Sequence, residues 1–497
     1  MRYFLVVVVS LAVVAGSDLG AQHGGSTPAG TQFTRIFPQL SPFAPPNDRV
    51  RQALVEIGRR GGVMDANDDL AAGPIALIVD PALNVHNPNS LSHTAGVTFM
   101  GQFLDHDMTF DTTSRLGQPT DPHTAPNSRR PYFDLDSVYG DGPAGSPLLY
   151  DPADRAKFRV EDGGLFEDLP RDNSGTAIIA DPRNDENLVI SGVQVAFLLF
   201  HNHVVDRLRQ ADPTLSVEDA FDDARTLTTH HYQWLLLHEF LPQFVGTSMV
   251  DDVLANGGRF YPSTQTEGTI PVEFQMAYRF GHSMVRPSYR ANFTGVGGTP
   301  FFAMLFDAQS AIGEPGDLRG GVRGSRRFVG WQTFFRFPGF EADTRPNKRL
   351  DTTLSTPLFD LPLGAIASGT PPTSLAERNL LRHLTWRLPS GQSIAAAMGA
   401  PVLGESHFAE LRSIYAPFGS STPLWYYVLR EADVLGHGET LGPVGGRLVA
   451  EVFIGLLRAD RGSILNQSTA FAPSLGVTPG EFSMVDFLRV AGVDQKR

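Results

Sequence analysis

The chain has 497 residues, of which 41% are hydrophobic, 19% charged and 10% aromatic. That is enough apolar material for a large core and too much for a disordered chain. Its 53 acidic against 40 basic residues give a formal charge of −13, which repels phosphate backbones and argues against a nucleic-acid partner. Cysteine is absent, which excludes disulfides and disulfide-linked dimers, thiolate catalysis, zinc–thiolate sites, iron–sulfur clusters and haem attached through cysteine.

In chain order, a basic start at Met1-Arg2 and the apolar run from Tyr3 to Gly16 have the form of a secretory signal peptide. Residues 1–21 are expected to be removed after Ala21, giving a secreted or periplasmic protein. The run is shorter than the roughly 20 apolar residues of a spanning helix, and no later segment is expected to be long and apolar enough to cross a membrane. Residues 22–50, rich in Gly, Pro, Ser and Thr, read as an extended arm. Residues 51–497 read as one large, mainly α-helical domain with long loops, such as 111–130 and 293–326, and little β-structure. Periodicity predicts helices over 97–110, 189–208, 220–240 and 374–384, the last with Ser374 as N-cap and Glu377 completing a capping box.

Four short stretches embed polar groups in apolar helix. In residues 101–111, Gln102 and His106 are four apart and share a face, Asp105 lies on a neighbouring stripe, and Asp107 points elsewhere. Burying these groups among Met100, Phe103, Leu104 and Phe110 is costly unless each is satisfied. The others pair Arg183 with Glu186, Arg279 with His282, and Asn379 with Arg382, each three apart. Singly, each pair reads equally well as a surface ion pair or a buried hydrogen bond.

Together, in this order and at these intervals, the four stretches resemble the animal-type haem peroxidases of the peroxidase–cyclooxygenase superfamily, most of all their shorter bacterial members. The resemblance runs from about residue 33 to residue 463. It implies haem b as cofactor, hydrogen peroxide as oxidant, a ferryl haem as the oxidising species, and a halide, phenolic or other small electron donor. By the same resemblance His106 is the distal histidine, with Gln102 beside it and Arg183 as the distal catalytic arginine. His282 is the proximal iron ligand, Asn379 accepts its ring proton, Arg382 lies near a haem propionate, and Arg279 stands beside the proximal ligand. Asp105 and Glu186 fall on the carboxylates that form ester bonds to haem methyls in several relatives. Asn187 stands where the most strongly oxidising relatives have a sulfonium-forming Met, so no third link is expected.

The family also binds calcium through the Asp after the distal histidine and a Thr-x-Phe-x-Asp-x-Ser loop. Asp107 fits the first ligand, and Arg130, Tyr132, Asp134 and Asp136 fall on the loop positions. Arg130 replaces the Thr with loss of a side-chain ligand, Tyr132 is expected to serve through its carbonyl, and Asp136 replaces the Ser as another oxygen donor. Calcium takes roughly six to eight oxygens in flexible geometry, so the site is expected to tolerate the change.

Three other readings stay open on the sequence. In fatty-acid dioxygenases of the superfamily a radical-forming Tyr stands three residues before the proximal histidine; here that position is Arg279, and Tyr278, one place off, is expected to project elsewhere. A non-haem metal hydrolase would draw on His201, His203, His230, His231, His238 and Glu239, although HEFLP lacks the second His of HExxH. A secreted binding protein that keeps only the fold would have no need for the whole set of Gln102, His106, Arg183, His282 and Asn379.

Overall fold

The computed structural model describes residues 32–496 except 163–165, 263–266, 296–297, 309–315 and 325. The expected signal peptide and the first part of the arm lie outside the described residues.

Asn47 caps helix α1 (Asp48–Gly58), and α2 (Ala95–Met108) follows a short strand, Asn89–Thr94. Helix α3 (Leu188–Ala211) starts where Asn187 Oδ1 accepts from the backbone N–H groups of Val189 and Ile190. Helix α4 (Val217–Leu235), capped by Ser216, packs along α3. Periodicity predicts α4 to run unchanged to residue 240; instead the chain widens into a π-turn over Leu236–Phe240. Pro242 follows directly, and its ring crowds the carbonyl four residues back while offering no N–H to it, which a wider turn relieves.

Helix α5 (Val272–Ala277) tightens into a 3-10 segment, Tyr278–Met284. Later helices that the argument uses are α6 (Leu375–Thr385), α7 (Leu424–Leu435), α8 (Pro443–Ala459) and α9 (Met484–Val490). At the start of α6, Ser374 Oγ accepts from Glu377 N (3.2 Å) and gives its own hydrogen to Gly58 O (2.5 Å). Glu431, buried on α7, accepts from Val444 N (3.0 Å) and Gly445 N (3.1 Å), bringing a carboxylate to the N-terminus of α8. Strands among the described residues are at most six residues long and form two-stranded pairs. The fold is mainly α-helical, as expected.

One interior contains the apolar faces of all these helices. Phe103 of α2 stacks on Phe197 of α3 at 4.4 Å between ring centroids and 6° between planes, and Tyr232 of α4 meets both edge-on. Helix α3 corrects one expectation: it is long and apolar enough to cross a membrane, but 83% of its most apolar 18-residue window is buried inside the protein. Its apolar length serves the core that it runs through.

The described part of the arm is extended but tied down. Phe33–Thr34 pair in parallel with Ile270–Pro271, Glu273 accepts from Ile36 N (3.0 Å) and Phe37 N (3.2 Å), and Phe33, Phe37 and Phe43 join the core.

The stacked pair joins the helix that carries His106 to the helix that follows Arg183. Phe197→Ala should therefore cost about 3–5 kcal/mol of stability, read as a lowered midpoint in denaturant unfolding; an unchanged midpoint would show that the stack is not a packing centre.

Candidate active site

A cavity of about 270 Å³ opens among α2, α5, the segment after it, and α6. This is far more than one or two waters fill and close to the roughly 300 Å³ at which ligand clefts begin. Its walls include Gln102, Asp105, His106, Arg183, Glu186, Arg279, His282 and Arg382. Residues from four separate stretches of sequence thus meet on one space.

On the α2 wall, His106 is buried and its Nδ1 lies 2.8 Å from Asn184 Oδ1, while Asn184 gives its own amide hydrogen to Gln194 Oε1 (2.8 Å). That chain makes Nδ1 the protonated ring nitrogen and leaves the Nε2 lone pair free. Burial first, then the nearby Arg183 charge, lowers the His106 pKa to about 4, so the ring is neutral at ordinary pH. Helix α2 ends with Asp105 O accepting from the N–H of Thr109, one residue beyond it.

Arg183 is held by Asp181 through Nε (3.0 Å) and Nη2 (2.7 Å), and Nη2 also donates to His106 O (2.9 Å). Its guanidinium carbon lies 4.2 Å from the Phe110 ring centroid. Arg129 grips Asp181 from the other side (2.8 Å). Burial alone would raise the Asp181 pKa; Arg183 and Arg129 overcome it and hold the carboxylate well below the usual range. Against its own burial, Arg183 is in turn kept charged by Asp181. A fixed cation therefore stands beside a neutral imidazole.

Gln102 is oriented at both ends: Asn187 Nδ2 donates to its Oε1 (3.1 Å) and its Nε2 donates to Glu186 Oε2 (3.2 Å). Asn187 thus caps α3 and aims Gln102 with the same side chain. Burial pushes Glu186 up to about 8 against the pull of Arg183, and its Oε2 lies 4.0 Å from His106 Nε2. Gly320 fixes this segment from outside, since a Cβ there would lie 1.5 Å from Asp185 O.

On the other wall, burial and Arg279 lower the His282 pKa to about 3, so this imidazole too is neutral. Its Nδ1 lies 2.8 Å from Asn379 Nδ2, and Asn379 Oδ1 accepts from Arg279 Nη1 (3.0 Å). This corrects the expected polarity: Asn379 faces the ring with its NH2, not with its carbonyl. The amide oxygen and nitrogen are isosteric, so a half-turn of the amide restores the expected bond without moving heavy atoms, and it releases Arg279. Arg279 Nε is buried with no hydrogen-bond partner, and burial lowers the Arg279 pKa to about 10. An orphaned guanidinium N–H on the cavity wall fits an anionic group such as a haem propionate. Two neutral imidazoles on one apolar cavity fit an iron porphyrin. Arg382 lines the same cavity and is held by Asp111 and Ser114. Tyr278 also lines the cavity, contrary to the expectation that it projects elsewhere, but its hydroxyl is spent on Gly101 O (2.9 Å).

The expected calcium ligands converge in part. Carboxylate oxygens of Asp107, Asp134 and Asp136 lie within 4.8 Å of one another, the one group of this kind among the described residues. Asp107 accepts from Ser137 Oγ (2.7 Å) and Tyr232 OH (3.1 Å). Asp136 Oδ1 is buried with no hydrogen-bond partner, and burial pushes both Asp107 and Asp136 upward. This hard-oxygen set fits a divalent cation. Arg130 departs from the family pattern in a specific way: its guanidinium lies 3.0 Å from Asp134. The Tyr132 hydroxyl turns away to accept from Gly268 N (3.1 Å).

The histidines of the hydrolase alternative do not meet. His201 bonds to Tyr139 and Ala156, His203 to Val490 O, His230 to Gly462 O and His231 to Leu227 O, while His238 stacks on Trp234. Asp181, Asn184, Asn187 and Arg129 are the supporting residues to which sequence reasoning gave no such role. Three of them flank Arg183 and Glu186 in sequence.

Residues 112–314 match the family model for animal haem peroxidases. The match includes Arg183 and His282 and leaves His106 and Asn379 outside it. Heme peroxidase 2 of Caenorhabditis elegans is 21% identical over 388 residues, 72% of this chain and 50% of that protein. Dual oxidase of Drosophila melanogaster is 28% identical over 116 residues, 22% of this chain and 7% of that protein. Among solved structures, peroxidase A of Dictyostelium discoideum superposes with a TM-score of 0.59 at 16% identity, over 87% of this chain and 88% of that one. A fatty acid alpha-dioxygenase of Oryza sativa gives 0.55 at 15% identity, over 76% and 70%. The chain shares the mainly α-helical fold of these peroxidase and dioxygenase structures, and residues 112–314 form a segment similar to the animal haem peroxidases. It spans half or less of the length of the curated relatives described here.

Asp181→Asn would strip the buried Arg183 of its counter-charge. A loss of about 3–5 kcal/mol is expected, measured by chemical denaturation. A loss below 1 kcal/mol would mean that solvent, not Asp181, keeps Arg183 charged.

Proposed function

We propose that this protein is a haem peroxidase: it binds haem b in the cavity shared by His106 and His282, reduces hydrogen peroxide, and oxidises a halide, phenolic or other small donor. The observation that carries the reading is the hydrogen-bond chain Gln194–Asn184–His106, which presents a neutral Nε2 lone pair beside a charged Arg183. Bound haem supplies the redox centre that takes both oxidising equivalents of peroxide.

The residues supply the rest. His106 Nε2 takes the proton from one peroxide oxygen and returns it to the other, which leaves as water. Arg183, already paired and immobile, stabilises the negative charge that develops as the O–O bond breaks, with no reorganisation at that moment. His282 Nε2 is the nitrogen left for iron once Asn379 holds Nδ1, and Arg279 and Arg382 are the cations for the propionates. Asp105 and Glu186 line the cavity and are the candidates for ester links to haem. Arg279, at the position of the radical-forming tyrosine of fatty-acid dioxygenases, weighs against that alternative.

Residues 1–21 are proposed to direct export. Asp107, Asp134 and Asp136 are proposed to hold calcium, with the Arg130 guanidinium leaving Asp134 as the ion enters.

With haem bound, His106→Ala should slow the reaction with peroxide by roughly 10²–10⁴-fold in stopped-flow absorbance; an unchanged rate would remove His106 from the mechanism. For the native chain the rate should be flat from about pH 7 to 5, below the range in which neighbouring Glu186 titrates. It should fall only as pH drops through about 4, where the ring takes a proton of its own and cannot accept another. A fall beginning near 6.5 would contradict the burial argument.

Calcium should raise the melting temperature and a chelator should lower it, and Arg130→Thr should bind the ion more tightly by titration calorimetry. Indifference of both forms to calcium would leave Arg130 as the permanent counter-ion of the cluster.

A further inference from the structure

Trp425, at the start of α7, stands directly behind the His282 wall. Its ring lies 6.4 Å from that of His282, and its Nε1 donates to Arg279 O (3.0 Å). Trp425 N is also fixed, to His383 Nε2 (3.0 Å). The next residue, Tyr426, gives its phenolic hydrogen to Glu410 Oε1 (2.6 Å). Glu410 is in turn held by Arg430 at 2.5 Å, and its side chain is 32% exposed. An indole beside the cavity, a buried phenol next to it in sequence, and a part-exposed carboxylate bonded to that phenol are therefore joined by the backbone and one hydrogen bond.

The proton acceptors distinguish these aromatic groups. Oxidising a phenol is favourable only when its proton has somewhere to go, because the phenol cation is a very strong acid. Tyr278 lines the cavity but donates to a backbone carbonyl, Gly101 O, which cannot take the proton. Tyr232 donates to Asp107, whose oxygens are shared with Ser137 and Leu135 in the carboxylate cluster. Tyr426 has a carboxylate that Tyr426 itself and Arg430 hold in its charged form against burial. The Trp425 N–H faces a carbonyl, so the indole passes an electron while keeping its proton.

We propose that Trp425 and Tyr426 form an electron relay from the haem cavity to the surface at Glu410, and that it serves one-electron reductants too large to enter the cavity. The proposal rests on the peroxidase reading of the site. One electron moves from Trp425 to the oxidising equivalent that peroxide leaves at the cavity. Tyr426 re-reduces Trp425, its O–H bond breaks, and the proton passes to Glu410. The external donor then returns an electron to the Tyr426 oxygen, and Glu410 returns the proton. Two such rounds consume one peroxide and two protons, release two waters, and leave two oxidised donors.

The test uses the full chain loaded with haem, frozen within milliseconds of adding one equivalent of peroxide and read by electron paramagnetic resonance. The native chain should show a protein radical with tyrosyl hyperfine structure. Tyr426→Phe should lose that signal and leave an indole-type one, and Trp425→Phe should lose both. Glu410→Gln, which keeps the shape but removes the base, should also abolish the tyrosyl signal. Ferrocytochrome c, a donor that cannot enter the cavity, should be oxidised by the native chain and at least tenfold more slowly by Tyr426→Phe, with iodide oxidation equal in the two. A chain whose haem band shifts with peroxide but which shows no protein radical, or Tyr426→Phe that oxidises ferrocytochrome c at the native rate, would overturn the relay. No shift of the haem band at all would instead overturn the peroxidase reading beneath it.

Discussion

The carboxylate of Asp181, gripped by Arg183 on one side and Arg129 on the other, is the contact on which the rest of the site depends. A lone buried Arg would be expelled or would draw in water. Paired in this way it stays charged, and its spare N–H donates to the backbone carbonyl of His106. One ion pair therefore fixes a cation beside His106, ties α2 to the segment before α3, and helps keep the imidazole neutral. Arg129 stands immediately before the 130–136 loop, so the same cluster links the distal wall to the carboxylates of Asp107, Asp134 and Asp136.

Two imidazoles face one cavity with opposite local polarity. His106 meets an amide oxygen and His282 an amide nitrogen. The first arrangement suits a base that accepts a proton at Nε2. The second is held by Arg279, whose Nε lacks a partner.

Much of this was legible in the sequence because the chemistry is carried on helices. The spacing of Gln102 and His106 gives a shared face directly, and Ser374 before an apolar period marks the start of α6. The residues that orient the functional groups were less legible, because their contacts join distant stretches: Asn184 reaches His106 across 78 residues and Asn187 reaches Gln102 across 85. Asn187 could be read only as the absence of a Met, whereas it both caps α3 and aims Gln102. The apolar run of α3 is interrupted by Gln194, His201, Asn202 and His203, and three of those side chains are satisfied by Asn184, Tyr139 and Phe158 inside the protein. Loop spacing marks Arg130 only as the loss of a side-chain ligand and does not reveal that its guanidinium lies at Asp134.

These two histidines are proposed to enclose a haem that peroxide oxidises, and the decisive measurement is the absorption spectrum before and after one equivalent of hydrogen peroxide. A haem Soret band is expected in the purified protein, shifting within the mixing time and returning when a donor is added. A chain that takes up no haem when haem is supplied during expression, or whose band ignores peroxide, would contradict it.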